Sequence, residues 1–268
     1  MKKSLRLLFA TLAAGALALC GCSSSQEHTT SSDNKKDDAK APVTLTVFAA
    51  ASLNKAFPDI VDKVLKKDHP HIDVNFSFEG SSTLVDQLNS GAPADVFASA
   101  DEKNMTKATD AHLVSDVTLF AANVLTLIVP AGNRANITGL NDSLDGKKLV
   151  VCAPQVPCGN ATKQLSEQLN VQLSPVSEEQ KVTDVRAKVE NGQADAGLVY
   201  VTDAKAAGNK VQIIDVDGSD KVVNMYPISM VNTSKHTKEA KAFIAAVKSP
   251  EGQKILEKYG FRSPTAGS

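Results

Sequence analysis

The sequence lacks an excess of basic residues, a CxxC pair and internal repeats of 20–50 residues. Its 29 Lys and Arg are matched by 30 Asp and Glu, a balance that gives no indication of nucleic-acid binding. Global attraction therefore does not draw in an anion, and any anion site must be local. The N-terminal apolar run, Leu7–Leu19, is shorter than the roughly 20 residues that a membrane span needs.

The first 21 residues instead have the pattern of a signal peptide, with basic residues before the short apolar run. The run ends in a segment that resembles a lipobox, in which Gly21 precedes the cut and Cys22 becomes the lipid-bearing first residue. Cys20 is the poorer candidate because bulky Leu19 precedes it. We therefore expect a chain on the extracytoplasmic face of the cell membrane, lipid-anchored but not spanning it. The alternative is plain secretion after an ordinary cleavage.

Residues 22–42 contain the acylated cysteine and then a polar stretch without an aromatic residue, a composition typical of a disordered tether. Residues 43–268 are long enough for two modest domains or one large one. Two cysteines remain there, Cys152 and Cys158. In an exported protein such a pair favours a disulfide over a metal or redox site.

Apolar periodicity predicts alternating strands and helices, and hence α/β architecture with largely parallel sheets. The predicted strands are 44–49, 72–78, 95–99, 125–129, 149–152, 196–201, 211–214 and 222–231. Helices are predicted from 53, over 84–88, 161–169, 182–189 and 240–247, and from 250 to a stop at Gly260. Pro58 is expected to kink the first of these helices or to displace its regular start.

Two serines stand where an apolar run ends and a helical pattern begins. Ser52 lies in VFAAASL, and Ser81 lies in GSSTLVDQLNSGAPADVFASAD. Small residues and a hydroxyl at a helix start, where N–H groups have no internal partner, can cradle an anion. Each serine can equally be an ordinary N-cap.

Five segments together resemble the molybdate-binding proteins of bacterial ABC importers. They are the two serine segments, ADAGLVYVTDA, MYPISMV and SPEGQKILEKYGF. The resemblance covers essentially all of 43–261 and implies a type II periplasmic-binding fold, two α/β lobes with the ligand cleft between them. We place lobe one at 43–121 plus 225–268 and lobe two at 122–224. The crossings are expected near Phe120–Asn123 and Val222–Met225.

The resemblance also implies the ligand set. Ser52 and Ser81 would bind from lobe one, and the backbone N–H groups of Cys158 and Val182 and the phenol of Tyr200 from lobe two. Hydroxyls and amides that only donate suit a fully ionised oxyanion and select against phosphate, which needs an acceptor for its proton. Molybdate, and tungstate with it, would then be separated from sulfate by cavity size. Glu79 is predicted to point away from the site.

Other readings of the chain are a binding protein for sulfate or another tetrahedral oxyanion and, more remotely, an exported serine hydrolase. The hydrolase would need a base and a G-x-S-x-G-like setting, which GSSTL does not supply. His69 and His71 favour a surface turn over a metal site. We expect the protein to have no enzymatic activity, no cofactor and no bound metal other than that of the oxyanion. The expected partners are an ABC permease with its ATPase subunit and, through the lipid, the membrane. The protein is expected to be a monomer.

Overall fold

The computed structural model describes residues 41–264. The predicted signal peptide, the lipid-bearing Cys22 and all but the last two residues of the predicted tether lie outside the described residues. Within the described part, none of the helices has the length and apolar character needed to cross a membrane.

Two five-stranded sheets organise residues 41–264. Their strands are β1 (Val43–Ala50), β2 (Ile72–Glu79), β3 (Val96–Ala98), β4 (Val114–Asn123), β5 (Leu125–Pro130), β6 (Leu149–Cys152), β7 (Ser177–Glu179), β8 (Ala196–Tyr200), β9 (Val211–Ile214) and β10 (Asn224–Val231). The first sheet has the order β2-β1-β3-β10-β4, and the second β7-β6-β8-β5-β9. We call the first sheet with its helices lobe one, and the second with its helices lobe two. The eight predicted strands are all present; β4 and β7 were not predicted.

The expectation of largely parallel sheets is confirmed for four strands of each sheet and wrong for the fifth, which makes both sheets mixed. In the first sheet β1 runs parallel to β2 and β3, whereas β10 is antiparallel to β3 and β4. The second sheet repeats the pattern, with β6 parallel to β7 and β8 and β5 antiparallel to β8 and β9. Strands that enter a sheet after the chain has crossed from the other lobe run in the opposite direction, and hydrophobic periodicity carries no information on strand direction.

The helices follow the strands in α/β order. They are α1 (Ala56–Ile60), which continues through a π-helical turn (Val61–Leu65) into α2 (Lys66–Asp68), α3 (Ser81–Asn89), α4 (Glu102–Asp110), α5 (Pro157–Leu169), α6 (Val182–Glu190), α7 (Val201–Ala207), α8 (Thr237–Lys248) and α9 (Pro250–Tyr259). Short 3₁₀ turns lie at Ala51–Leu53, Asp142–Leu144, Gly208–Lys210 and Ser219–Lys221. α4 and α7 were not predicted.

Local sequence signals explain two of these helix boundaries. The regular start of the first helix is displaced to Ala56, as Pro58 predicted, since proline is tolerated in the first turn. In α9 the Ser249 side chain accepts a hydrogen bond from the Gly252 N–H at 3.0 Å. The same helix ends at Gly260, whose φ of +99° is the left-handed conformation that glycine adopts without strain.

The chain passes between the sheets at two nearby points. β4 ends at Asn123 and β5 begins at Leu125, so Val124 alone separates the two strands. The return segment ends at Asn224, which pairs with Asn123 in the β4–β10 ladder. The lobe boundaries given by the sequence, 43–121 plus 225–268 and 122–224, stay a prediction.

Aromatic packing forms much of the core of lobe one. Phe57 on α1 contacts Phe76, Phe120 and Phe243, with ring centroids 5.4–6.1 Å apart. These rings join α1 and α8 to the sheet. Such pairs add roughly 0.5–1.5 kcal/mol each beyond the area that they bury.

Candidate functional site

A small cavity of about 10 Å³ lies where the two lobes meet. Pockets for drug-sized ligands measure roughly 300–1,000 Å³, so this space excludes ligands of that size. Its lining comes from both lobes: Ala50, Ala51, Ser52, Glu79, Gly80, Ser81 and Ala100 from lobe one, and Val156, Pro157, Cys158, Val182 and Tyr200 from lobe two. All five residues that the sequence singled out as ligands line it.

Ser52 reaches the cavity from a 3₁₀ turn. It lies in Ala51–Leu53, directly after β1, and its hydroxyl oxygen is 2.9 Å from the hydroxyl oxygen of Tyr226. The alternative that Ser52 is an ordinary N-cap is wrong, because the regular helix begins only at Ala56 and has Lys55 as its N-cap. The serine hydroxyl is therefore not engaged by the helix.

Ser81 is the first residue of α3, and Gly80 is the N-cap, so Ser81 is not an N-cap either. Its oxygen accepts a hydrogen bond from the Ala100 N–H at 3.0 Å. This bond uses a lone pair of the hydroxyl and leaves its proton available to a ligand. Gly80 makes no side-chain cap, so the first N–H groups of α3 also lack a partner within the helix.

Two helices of lobe two begin at the same cavity. Cys158 is the second residue of α5, after Pro157, and Val182 is the first residue of α6. Neither helix has a side-chain cap. Their first N–H groups have no partner within the helix and carry the positive end of the helix dipole. The geometry is thus that of a site that binds an anion through uncharged donors.

A disulfide joins Cys152 to Cys158. Cys152 ends β6 and Cys158 lies in the first turn of α5, so the bond ties the end of the strand to the helix start that lines the cavity. The side chain of Cys158 is thereby held in the disulfide, whereas its backbone N–H stays at the start of α5.

Tyr200 ends β8 and is 1% exposed. Its hydroxyl has no hydrogen-bond partner among residues 41–264. The rings of Tyr200 and Tyr226 are in edge contact with centroids 6.0 Å apart, but their hydroxyls do not meet hydrogen-bond geometry. Burial raises the pKa of the Tyr200 phenol well above its usual value, so the group keeps its proton and is a donor at neutral pH.

Glu79 is the one charged residue among the described residues that line the cavity. The orientation of Glu79 away from the site stays a prediction. Its carboxylate oxygens lie 3.0 Å and 3.2 Å from the Lys181 ammonium of lobe two, which donates to both. An ion pair across the cleft therefore balances the carboxylate, and Lys181 has no sequence signal that could have revealed it.

The lobes also touch at Gly80. A Cβ added there would lie 2.2 Å from the Gln180 carbonyl oxygen and 3.3 Å from Val156 Cγ1, both on lobe two. Gly80 has φ −63° and ψ 138°, which any residue can adopt. The glycine is needed for the close approach of the lobes and not for backbone conformation.

The sequence did not reveal the two buried residues, Tyr226 and Asn123, that lie behind Ser52. Tyr226 is fully buried on β10, and Asn123 at the end of β4 donates to its hydroxyl oxygen at 3.5 Å. Tyr226 lies in MYPISMV, a segment that contributes to the family resemblance but contains no predicted ligand. The available signal was a single tyrosine in an apolar strand, which has no local partner for its hydroxyl.

Two of the five histidines, His69 and His71, lie with ring centroids 6.0 Å apart at the turn before β2. Across residues 41–264 no group of three or more His, Cys, Asp or Glu side chains is placed to hold a metal ion.

Comparison with known proteins relates this geometry to a family. A model described as bacterial extracellular solute-binding protein matches residues 45–262. The molybdate-binding protein ModA of Mycobacterium tuberculosis (strain ATCC 25618 / H37Rv) is 43% identical over 222 residues, 82% of this chain and 85% of that protein. The Bacillus subtilis (strain 168) protein YvgL, named as a candidate ABC transporter substrate-binding lipoprotein, is 35% identical over 255 residues, 91% of this chain and 93% of that protein.

A solved structure gives the same answer on the fold. The periplasmic molybdate-binding protein of Azotobacter vinelandii superposes with a TM-score of 0.71, covering 82% of this chain and 100% of that chain at 21% identity. At this identity the likeness concerns the fold, two α/β lobes with a cleft between them.

Proposed function

The chain belongs to the bacterial extracellular solute-binding proteins, and on that premise we propose that it captures molybdate, and tungstate with it, for delivery to an ABC permease. Proteins of this family bind a solute and do not transform it, so the serine hydrolase alternative is set aside. Relatives at 43% identity are named for molybdate binding.

One observation carries the proposal. The five residues singled out from the sequence, Ser52, Ser81, Cys158, Val182 and Tyr200, line a single cavity to which both lobes contribute. They come from five different elements, and only the fold brings them together. In the proposed complex two serine hydroxyls, two backbone N–H groups and one phenol donate to the oxygens of the anion.

The donor set supports a fully ionised oxyanion. Molybdate, tungstate and sulfate carry no proton at neutral pH, whereas phosphate keeps one and needs an acceptor. Of the described lining residues, Glu79 alone offers a carboxylate, and Lys181 already holds it. Selection among the unprotonated anions is proposed to rest on the size of the cavity.

We further propose that the mature chain is held on the outer face of the cell membrane by a lipid on Cys22. The lipobox-like segment before Cys22 and the lipoprotein name of the Bacillus relative support this. The test is metabolic labelling with a fatty acid, in which the Cys22→Ser chain should lose the label and leave the membrane fraction. Label retained by the Cys22→Ser chain would contradict the proposal.

The binding proposal is tested with a panel of anions. Molybdate and tungstate should raise the melting temperature, because a ligand that binds only the folded state stabilises it by about 2.7 kcal/mol at a hundredfold excess over Kd. Phosphate should have no effect, and sulfate a smaller one. A shift with sulfate and none with molybdate would overturn the assignment in favour of a sulfate receptor.

A further inference from the structure

The direction of one buried hydrogen bond decides what Ser52 can offer to an anion. The hydroxyl oxygens of Ser52 and Tyr226 lie 2.9 Å apart, and either group can be the donor. If Ser52 donates to Tyr226, its oxygen faces the cavity as an acceptor. If Tyr226 donates to Ser52, the serine proton is free for the ligand.

The side chain of Asn123 bears on this direction. Its amide oxygen accepts a hydrogen bond from the Val124 N–H at 3.0 Å. A backbone N–H can only donate, so this contact identifies the oxygen and assigns the NH₂ group to the other side. That NH₂ group donates to Thr202 Oγ1 at 2.9 Å and to the Tyr226 oxygen at 3.5 Å.

The NH₂ group of Asn123 cannot accept, so the Tyr226 proton needs another acceptor. If Ser52 donated to Tyr226, that buried proton would have no acceptor in the hydrogen bonds of residues 41–264. Burial raises the pKa of the Tyr226 phenol above the usual range, so the proton stays on the oxygen. Ser52 is the hydroxyl at 2.9 Å that can accept it. The chain of donors thus runs from Asn123 through Tyr226 to Ser52 and leaves the Ser52 proton for the cavity.

Ser81 is oriented in the same sense by a different donor. The Ala100 N–H donates to its oxygen at 3.0 Å, and the Ala100 carbonyl accepts from the Asn224 side chain at 2.9 Å. Asn224 pairs with Asn123 across the β4–β10 ladder, at the point where the chain crosses between the lobes. Both cavity serines are thereby held as donors by groups at the crossings.

We propose that Tyr226 is a specificity-determining positioning residue, which is oriented by Asn123 and commits Ser52 to donate, so that the site discriminates against anions that retain a proton. This inference rests on the proposed function, because it assumes that the oxyanion is bound in this cavity. Tyr226 acts through Ser52 and does not line the cavity itself.

The physical reason is the lack of an acceptor. The O–H of hydrogen phosphate has to donate to a lone pair, and an unsatisfied donor in a closed site is costly. With both serines fixed as donors, Tyr226 and Ala100 each take a lone pair of a serine oxygen, and the serine protons face the anion. When the Tyr226 hydroxyl is removed, Ser52 can rotate and accept, and the protonated anion then finds a partner.

The test is Tyr226→Phe, with Tyr259→Phe as the matched control. Tyr259 lies on α9 and donates to Asp59, away from the cavity. Calorimetry at mildly alkaline pH measures Kd for molybdate and, by competition, for phosphate. We expect the molybdate Kd of Tyr226→Phe to rise by roughly 2–13-fold, the equivalent of one neutral hydrogen bond. Phosphate should gain affinity, so that the ratio of the phosphate Kd to the molybdate Kd falls by at least that factor. Tyr259→Phe should behave as the wild type.

A double-mutant cycle adds a readout that a merely structural role would not move. In a Ser52→Ala background, Tyr226→Phe should leave the ratio of the phosphate Kd to the molybdate Kd unchanged, because the residue through which it acts is gone. The inference is overturned by an unchanged ratio in Tyr226→Phe alone, by phosphate binding that stays undetectable in that variant, or by the same effect with and without Ser52.

Asn123→Asp keeps the proposal testable if Tyr226→Phe does not fold. The carboxylate preserves the acceptor for Val124 but removes the donor to Tyr226, so Tyr226 should donate to it and Ser52 should turn its oxygen to the cavity. The added charge disfavours molybdate and hydrogen phosphate alike, so the ratio of the phosphate Kd to the molybdate Kd should still fall. An unchanged ratio counts against the inference. A wild-type chain that binds no molybdate would instead refute the proposed function.

Discussion

Replacing Tyr200 by phenylalanine should weaken molybdate binding without weakening the unliganded fold. The phenol is 1% exposed and has no hydrogen-bond partner among residues 41–264, so the substitution removes no bond from the protein itself. In the complex the hydroxyl is proposed to donate to a charged oxygen, and such bonds contribute roughly 1.5–3 kcal/mol. The expected rise in Kd is therefore about 10–150-fold.

Two measurements on the same samples check this. Calorimetry should give the higher Kd with an unchanged stoichiometry of one molybdate per chain. Thermal unfolding without ligand should give a melting temperature equal to or above that of the wild type, because a buried polar group without a partner has been removed. The pKa of Tyr200 is raised, so the effect on binding should be the same at neutral and mildly alkaline pH.

The opposite pattern would refute the reasoning. A Tyr200→Phe variant with unchanged affinity would remove Tyr200 from the ligand set. A variant with a markedly lower melting temperature in the absence of ligand would show that the hydroxyl has a structural partner, contrary to its isolation in the fold.

Other consequences concern the contact between the lobes, the Glu79–Lys181 ion pair and the buried carboxyl of Asp203. Gly80→Ala places a methyl group 2.2 Å from the Gln180 carbonyl oxygen; the strain arises only when the lobes meet, so calorimetry should show a molybdate Kd raised by about 5–150-fold, the equivalent of 1–3 kcal/mol of overpacking. Lys181→Gln leaves the Glu79 carboxylate unbalanced beside the anion and should raise the molybdate Kd a few-fold. Glu79→Gln should not raise it, and the double variant should recover the affinity because the carboxylate is gone. Burial raises the pKa of Asp203 to about 7, whereas the unfolded chain loses this proton near pH 4. As the pH rises between these values, the free energy of unfolding should fall by roughly 1.4 kcal/mol per pH unit. Denaturant titrations should find this slope absent in Asp203→Asn.

Each of these has an internal control. Gly139→Ala is the counterpart of Gly80→Ala, since its added Cβ would meet only the exposed side chain of Asn141, at 3.0 Å; equal losses of affinity in both variants would rule out the lobe contact as the cause. For the ion pair, a loss in Glu79→Gln as large as that in Lys181→Gln would contradict the charge argument. For Asp203, a parallel pH dependence in the variant and the wild type would contradict its raised pKa.

The sequence predicted well what depends on neighbours along the chain. The alternation of Ile72, Val74, Phe76 and Phe78 with polar residues predicted β2, and Ser249 predicted the start of α9. These signals are local, since a strand face has a period of two and an N-cap bonds three residues away.

What the sequence missed lies between distant residues. The Ser52 hydroxyl meets that of Tyr226, 174 residues further along the chain, and Glu79 meets Lys181 after 102 residues. Ser52 and Ser81 satisfied the local pattern of an N-cap, but tertiary contacts gave each hydroxyl a different partner. The antiparallel directions of β5 and β10 were missed for the same reason, because they follow from where the chain crosses between the lobes.

The central claim is that one cavity, formed by both lobes, binds molybdate. Calorimetric titration of the mature chain with molybdate, in the presence of excess sulfate and then of excess phosphate, tests it most directly. The account predicts saturable binding of one molybdate per chain that persists in both backgrounds. No molybdate binding, or its loss in excess sulfate, would contradict it.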